Sequence, residues 1–352
     1  MNVVVNEKFS FSKMDTAVVK GIAIIAMIIH HIIPNNSGLP VDYGTGFSVY
    51  TLFGTTGKVC VVLFTILSGY GLSVGYNPLW KMKDKAKYTI KHVVKLYFSF
   101  WYIFFVVFIF NLMTGATIKS IYGSNNTIRN LLFDFFGVSG LTLTGTMSEP
   151  WWYMEAIIIF YCLFPVLYEL TLRLRYLSLI IFYIPWIYYI LQNNITMHTD
   201  REVFYLFPFV VGILMQQKGL LDGVKTIGAR KPCLFTLCCT AGLIISIYVR
   251  SKVCLPYDTF LGVAVIVFCC LLSRNQFTRS FFSIFGKYSS MIFMFHGTLL
   301  VLLSGIEFRN YCFRIIVACT VFLGVAQVLE QIKKGIKYKK MEFAIITLLH
   351  LN

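Results

Sequence analysis

Long apolar runs, each near the length needed to cross a bilayer, alternate along this chain with short polar stretches. The runs are apolar all the way round. They show neither the strict alternation of a half-buried strand nor the single stripe of a surface helix, so the pattern predicts membrane-embedded helices. Ten spans are expected, at 17–33, 51–75, 92–113, 150–172, 177–191, 203–216, 233–248, 257–272, 284–304 and 311–329. Turn residues at 34–38 stop the first, and Gln192-Asn193-Asn194 stops the fifth. An amphipathic segment is expected at 131–136. The apolar run at 343–349 is too short to span and reads as interfacial.

Composition narrows this to one class. Hydrophobic residues make up 57% and charged residues 13%, far from the balance of a soluble domain of this length. A transmembrane β-barrel would need shorter alternating segments, so the expected fold is an all-α, polytopic helical bundle forming one domain over 1–352. No internal repeat, signal peptide or low-complexity linker is visible. The net charge of +16 suggests no nucleic-acid partner, because the cations sit between the apolar runs and form no continuous patch. With both termini placed in the cytoplasm, 23 of the 31 lysines and arginines fall on the cytoplasmic side and 8 on the other. Lys81, Lys83, Lys85, Lys87, Lys91 and Lys95 crowd one connection and the start of the third helix. The ten cysteines lie mostly within apolar runs and lack metal-ligand spacing, so neither a metal nor a disulfide is expected.

Candidate chemistry concentrates on the first helix, where Lys20 and His31 stand eleven residues apart, about 16 Å on a helix. Ionisable groups at that depth mark a functional site by default. A neutral imidazole can accept a proton near neutrality, so it suits a general base on a hydroxyl. His30 and His31 lie about 100° apart on a helix, so only one of them is expected to face the bundle centre. Lys20, His92 and Lys95 gather at the cytoplasmic ends of the first and third helices. That cluster fits the phosphates of an acyl-CoA as well as plain positive-inside charge. Glu155 sits in an apolar helix and needs a partner, either a histidine, an acceptor or a neighbouring helix. Glu149 falls at the interface and carries little weight. Trp152 and Tyr153 suit either an aromatic belt or the stacking of a sugar ring. His296 suits a helix-to-helix hydrogen bond or a site role, and Ser68 is expected to satisfy a backbone carbonyl.

Five stretches together resemble the membrane acyltransferase-3 family, the bacterial O-acyltransferases of cell-surface glycans. They are Lys20-Gly21-Ile22-Ala23 with His31, Ser68-Gly69-Tyr70, and His92-Val93-Val94-Lys95-Leu96-Tyr97, followed by Trp152-Tyr153-Met154-Glu155 with Phe164-Pro165, and Gly286-Lys287-Tyr288-Ser289 with Phe295-His296. The family opens its first helix with arginine, and its third-helix element carries two. Lysine and histidine stand there in this chain, keeping charge but losing the bidentate fork.

The resemblance implies a multi-pass protein of the bacterial cytoplasmic membrane that takes an acyl group, most simply acetyl, from cytosolic acyl-CoA. The acceptor would be a hydroxyl of an envelope saccharide. His31 would be catalytic with Glu155 and His296 in support, Lys20, His92 and Lys95 would hold the coenzyme, and Trp152 and Tyr153 the acceptor. The rival is a polytopic transporter or flippase using intramembrane His and Glu. No matching pair of Gly- or Pro-broken helices in the two halves is expected from the sequence, which argues against it.

Overall fold

The computed structural model describes residues 10–33, 41, 43, 48–192, 201–306 and 310–351, and every regular element among them is helical. The turn expected at 34–38 and the 193–194 end of the fifth helix lie outside these residues. Helix α1 (Lys13–Ile32) starts at a capping box, in which the Ser12 hydroxyl accepts from the Asp15 N–H and the Asp15 carboxylate accepts from the Ser12 N–H. The second predicted span is two helices, α2 (Val49–Thr56) and α3 (Val59–Val74). Helix α4 (Met82–Met113) begins ten residues before its expected start. The lysines from Lys83 to Lys91 are therefore helical, as their propensity allows, rather than part of a connection.

Two short helices follow in the long polar stretch, α5 (Ile118–Tyr122) and α6 (Thr127–Phe135). A 3₁₀ turn, Glu149–Trp151, then leads into α7 (Trp152–Leu174) and α8 (Leu177–Gln192). The second half contains α9 (Arg201–Gln217), α10 (Leu220–Arg230), α11 (Pro232–Val253), α12 (Asp258–Leu272), α13 (Gln276–Lys287), α14 (Ser289–Ser304), α15 (Tyr311–Gly335) and α16 (Tyr338–Leu348). Seven helical segments are long and apolar enough to cross a membrane, or nine if two bent pairs each count as one span, among the described residues. Ten were expected. The shortfall is α8, whose 16 residues reach about 24 Å, less than a hydrocarbon core.

The bent pairs are the larger departure from the sequence reading. Helices α9 and α10 meet at 62°, where Gly219 adopts φ +59°. Helices α13 and α14 meet at 64° around Tyr288, inside the span expected at 284–304. The first break follows the end expected at 216, and the stretch beyond it is the amphipathic helix α10; the second falls inside an expected span, where the local hydropathy does not mark it.

Small residues bring the central helices together. Helix α1 crosses α13 where Gly21 faces the Phe282 carbonyl and Gly286 faces the Ala17 carbonyl, so close that a methyl on either glycine would collide with backbone. Helix α3 crosses α9 in the same manner through Gly69 and Gly212. Close backbone approach through glycine is the usual substitute in membranes for hydrophobic burial, since lipid tails compete equally for apolar side chains. These two crossings hold α1 and α3 in the middle of the bundle, around a core that includes Ile24, Met27, Leu63 and Phe209.

Candidate active site

Two cavities lie beside α1. The inner one, about 270 Å³, is lined by Lys20, His92, Ser68, Tyr153, Tyr161 and the first turn of α14 at Ser289 and Ser290. No carboxylate pairs with Lys20 among the described residues. The start of α14, created by the bend after α13, adds backbone N–H groups and the positive end of a helix dipole beside that ammonium. Nδ1 of His92 lies 2.8 Å from the Tyr88 carbonyl, and its ring packs on Tyr88 at 4.2 Å. Lys95 is exposed and does not line the cavity. Ser68 meets the phenols of Tyr153 and Tyr161, not the backbone carbonyl expected of it.

The outer cavity, about 160 Å³, is lined by His30, His31, His296, Lys58, Glu149 and Trp152. The His31 ring sits 5.0 Å from the buried His296 ring and 5.0 Å from the His30 ring. Both adjacent histidines line this space, although helical geometry suggested that one would turn away. The reason is local: Nδ1 of His30 is held 2.7 Å from the Gly54 carbonyl on α2, which bends in over α1 at Gly57. His296 directs Nδ1 to the Phe293 carbonyl on its own helix.

The carboxylate in this cavity is Glu149. The 3₁₀ turn that carries it is fixed to α14 by the Trp151 indole, which donates to the Met294 carbonyl at 2.9 Å. It also rests against Gly297, where an added Cβ would come within 2.8 Å of the Ser148 hydroxyl. Glu155, six residues further on, is buried, and its Oε2 accepts from the Leu141 N–H at 3.0 Å. It lines neither cavity. Trp152 belongs to the outer cavity and Tyr153 to the inner, where Tyr153 accepts from Thr65 at 3.3 Å.

The cavities share the side chains of Pro150 and Phe293. Phe293 stands between them, its ring edge-on to Phe64 at 5.1 Å and to Tyr153 at 5.1 Å, and 5.6 Å from His296. It forms a wall between the unpaired cation and the imidazoles.

Sequence reasoning missed four of these groups. Lys58 was legible in principle, as a cation interrupting the second apolar run. Glu149 was passed over as interfacial, and nothing in the apolar pattern singled out Phe293. The fourth, Asp134, organises the polar stretch before α7. It is fully buried and accepts from Tyr122, Met147 N–H, Thr146 and Ser139. Burial holds its carboxyl above the ordinary carboxylate range despite those four donors.

The fold is that of a multi-pass helical membrane protein, and its candidate site is a cationic cavity and an imidazole cavity set side by side. The model of the acyltransferase domain known as acyltransferase 3 matches residues 16–330, and the chain belongs to that family. It is a membrane-bound acyltransferase. No curated protein and no solved structure matches the chain.

Proposed function

We propose that this protein moves a short acyl group, acetyl in the simplest case, from a cytosolic acyl-CoA to a hydroxyl of an envelope or exported saccharide. The observation that carries the reading is the pair of cavities meeting at Phe293 and Pro150. One offers an unpaired ammonium and a helix N-terminus to the phosphates and thioester end of the donor, and the other offers a base to the acceptor. In this reading Lys20 and His92 hold the coenzyme, with Lys95 outside the cavity as a long-range attractor. His31 takes the proton from the acceptor hydroxyl, whose oxygen attacks the thioester carbonyl. The carbon–sulfur bond breaks, and the proton passes to the departing thiolate, leaving an ester and free coenzyme A. His296 and Glu149 orient or charge-balance His31, Trp152 packs the sugar, and Tyr153 with Ser68 lines the donor side. Glu155 acts through the loop it holds at Leu141.

Both termini lie in the cytoplasm in this proposal, as the distribution of lysine and arginine supports. The two bent pairs reopen the question of transport. Only the second of them borders the inner cavity, at Ser289, and Gly219 of the first lies away from both cavities.

The test is release of coenzyme A thiol by the full-length protein in nanodiscs, supplied with acetyl-CoA and a saccharide acceptor. His31→Ala should lose a factor of about 10²–10⁴, the usual worth of a general base. A near-normal rate in that variant would remove His31 from the mechanism.

A further inference from the structure

A third cavity opens at the N-terminal end of α1, away from Lys20. It measures about 370 Å³, and Asp15, Lys225, Arg274 and Arg279 line it. Asp15 is already neutralised, because Lys225 donates to its Oδ2 at 2.7 Å and to the Ser10 carbonyl at 2.8 Å. That leaves Arg274 and Arg279, for which no ion pair to a carboxylate occurs among the described residues. Arg274 is exposed, yet its guanidinium has a defined place. Its guanidinium stacks on the Phe235 ring at 4.9 Å and fills the space left by Gly228, where a Cβ would collide with Nη2. Glycine at that position makes a cradle for a fixed guanidinium, the donor geometry suited to phosphate oxygens.

Along the same face of α1 lies an apolar groove of about 290 Å³, lined also by α2, α3, α11, α12 and α13. On α1 the face runs from Asp15 in the polar cavity to Ile22, Ala26 and Ile29 in the groove. Steps of seven, eleven and fourteen residues return to within roughly 40° of the starting direction. Helices α12 and α13 border both spaces: Cys270 and Arg279 line the pocket, and Val265, Leu272 and Phe282 line the groove. A polar, doubly cationic pocket at the membrane surface followed by an apolar groove at membrane depth is complementary to one kind of molecule.

We propose that this seam is a binding site for an anionic phospholipid, with its phosphate on Arg274 and Arg279 and one acyl chain laid in the groove past Val265. The site is separate from the acyl-transfer cavities, and its occupancy would brace the α1–α13 crossing. The net positive pocket selects an anionic headgroup over a zwitterionic one, which carries its own cation.

The experiment is native mass spectrometry of the full-length protein released from nanodiscs of equal phosphatidylglycerol and phosphatidylcholine. A parallel thermal melt in detergent uses inorganic phosphate alone. The wild type should retain one phosphatidylglycerol in preference to phosphatidylcholine. R274Q with R279Q should lower that retention about tenfold, the worth of one lost charge-assisted bond or more. Val265→Trp, which blocks the groove and leaves the charges, should lower it as well. Gly228→Ala guards against loss of charge as the cause, since it keeps both arginines while crowding the Arg274 guanidinium and the Phe235 ring it rests on, and it should still reduce retention. Unchanged retention in R274Q/R279Q overturns the site. A rise in Tm with inorganic phosphate alone, together with a Val265→Trp variant that retains lipid normally, assigns the pocket to soluble phosphate and overturns the lipid.

Discussion

At the scale of single residues, Phe293 is the wall between the two cavities. Its ring borders both and is held edge-on by Phe64 and Tyr153, so in the proposed reaction the thioester would meet the acceptor at a narrow point. Such a wall discriminates by chain length, because each added methylene has to find space or displace an aromatic ring. Phe293→Ala should therefore shift the donor preference from acetyl towards longer acyl chains, read as relative kcat/KM for acetyl-CoA against butyryl-CoA. An unchanged ratio would mean that the chain never lies against this ring. The first helix was legible residue by residue, because Lys20 and His31 break an apolar run at a telling interval. Phe293 was not, since one phenylalanine among 33 carries no mark in the sequence that separates a wall from a core. Glu149 escaped for a similar reason: an acidic residue at an interface is ordinary until the Trp151 anchor shows where the turn points.

At the scale of elements, two devices set the geometry, and each makes a prediction. The first is the glycine crossing of α1 and α13. Gly286→Ala places a methyl against the Ala17 carbonyl, so the helices must move apart, carrying Ser289 and Lys20 with them. Overpacking of this sort costs about 1–3 kcal/mol. It should appear as a lower Tm in detergent together with weaker donor binding. The second device is Asp134, which gathers the stretch between α5 and α7 by accepting four hydrogen bonds. Asp134→Ala strands those donors in a buried place, at a cost of about 2–4 kcal/mol.

The sign of the pH effect follows from burial. The folded state holds the Asp134 proton more tightly than the unfolded chain, so this carboxyl favours folding most at low pH. Its contribution declines as pH rises from the ordinary value of 3.8 through the raised one, then levels off. Hydrogen exchange at the Met147 amide, corrected for its intrinsic rate, should show that decline in the wild type and lose it in Asp134→Ala. Helix positions along the chain were legible because hydropathy is a local property. The bend at Tyr288 was not, because it falls inside the apolar span expected at 284–304 and is decided by what packs in its angle.

At the scale of the whole molecule, the expected class held: an all-helical, multi-pass acyltransferase, with seven to nine candidate spans where ten were counted. Length explains the difference in the count, since α8 is apolar enough but too short. The placement of its cavities gives the molecule a further duty. Under the proposed reaction, with the donor drawn from one side of a bilayer and the acceptor served on the other, the two recesses would stand end to end in a structure that must still hold a membrane potential. That potential is worth about 2.3 kcal/mol per elementary charge at 100 mV, ample to drive protons along any continuous wet path between Lys20 and His31. Phe293 is in that sense an electrical insulator, and Phe293→Ala should make proteoliposomes carrying a potassium diffusion potential acidify faster than wild-type vesicles. The cost of widening this enzyme's substrate range would then be paid in proton-motive force.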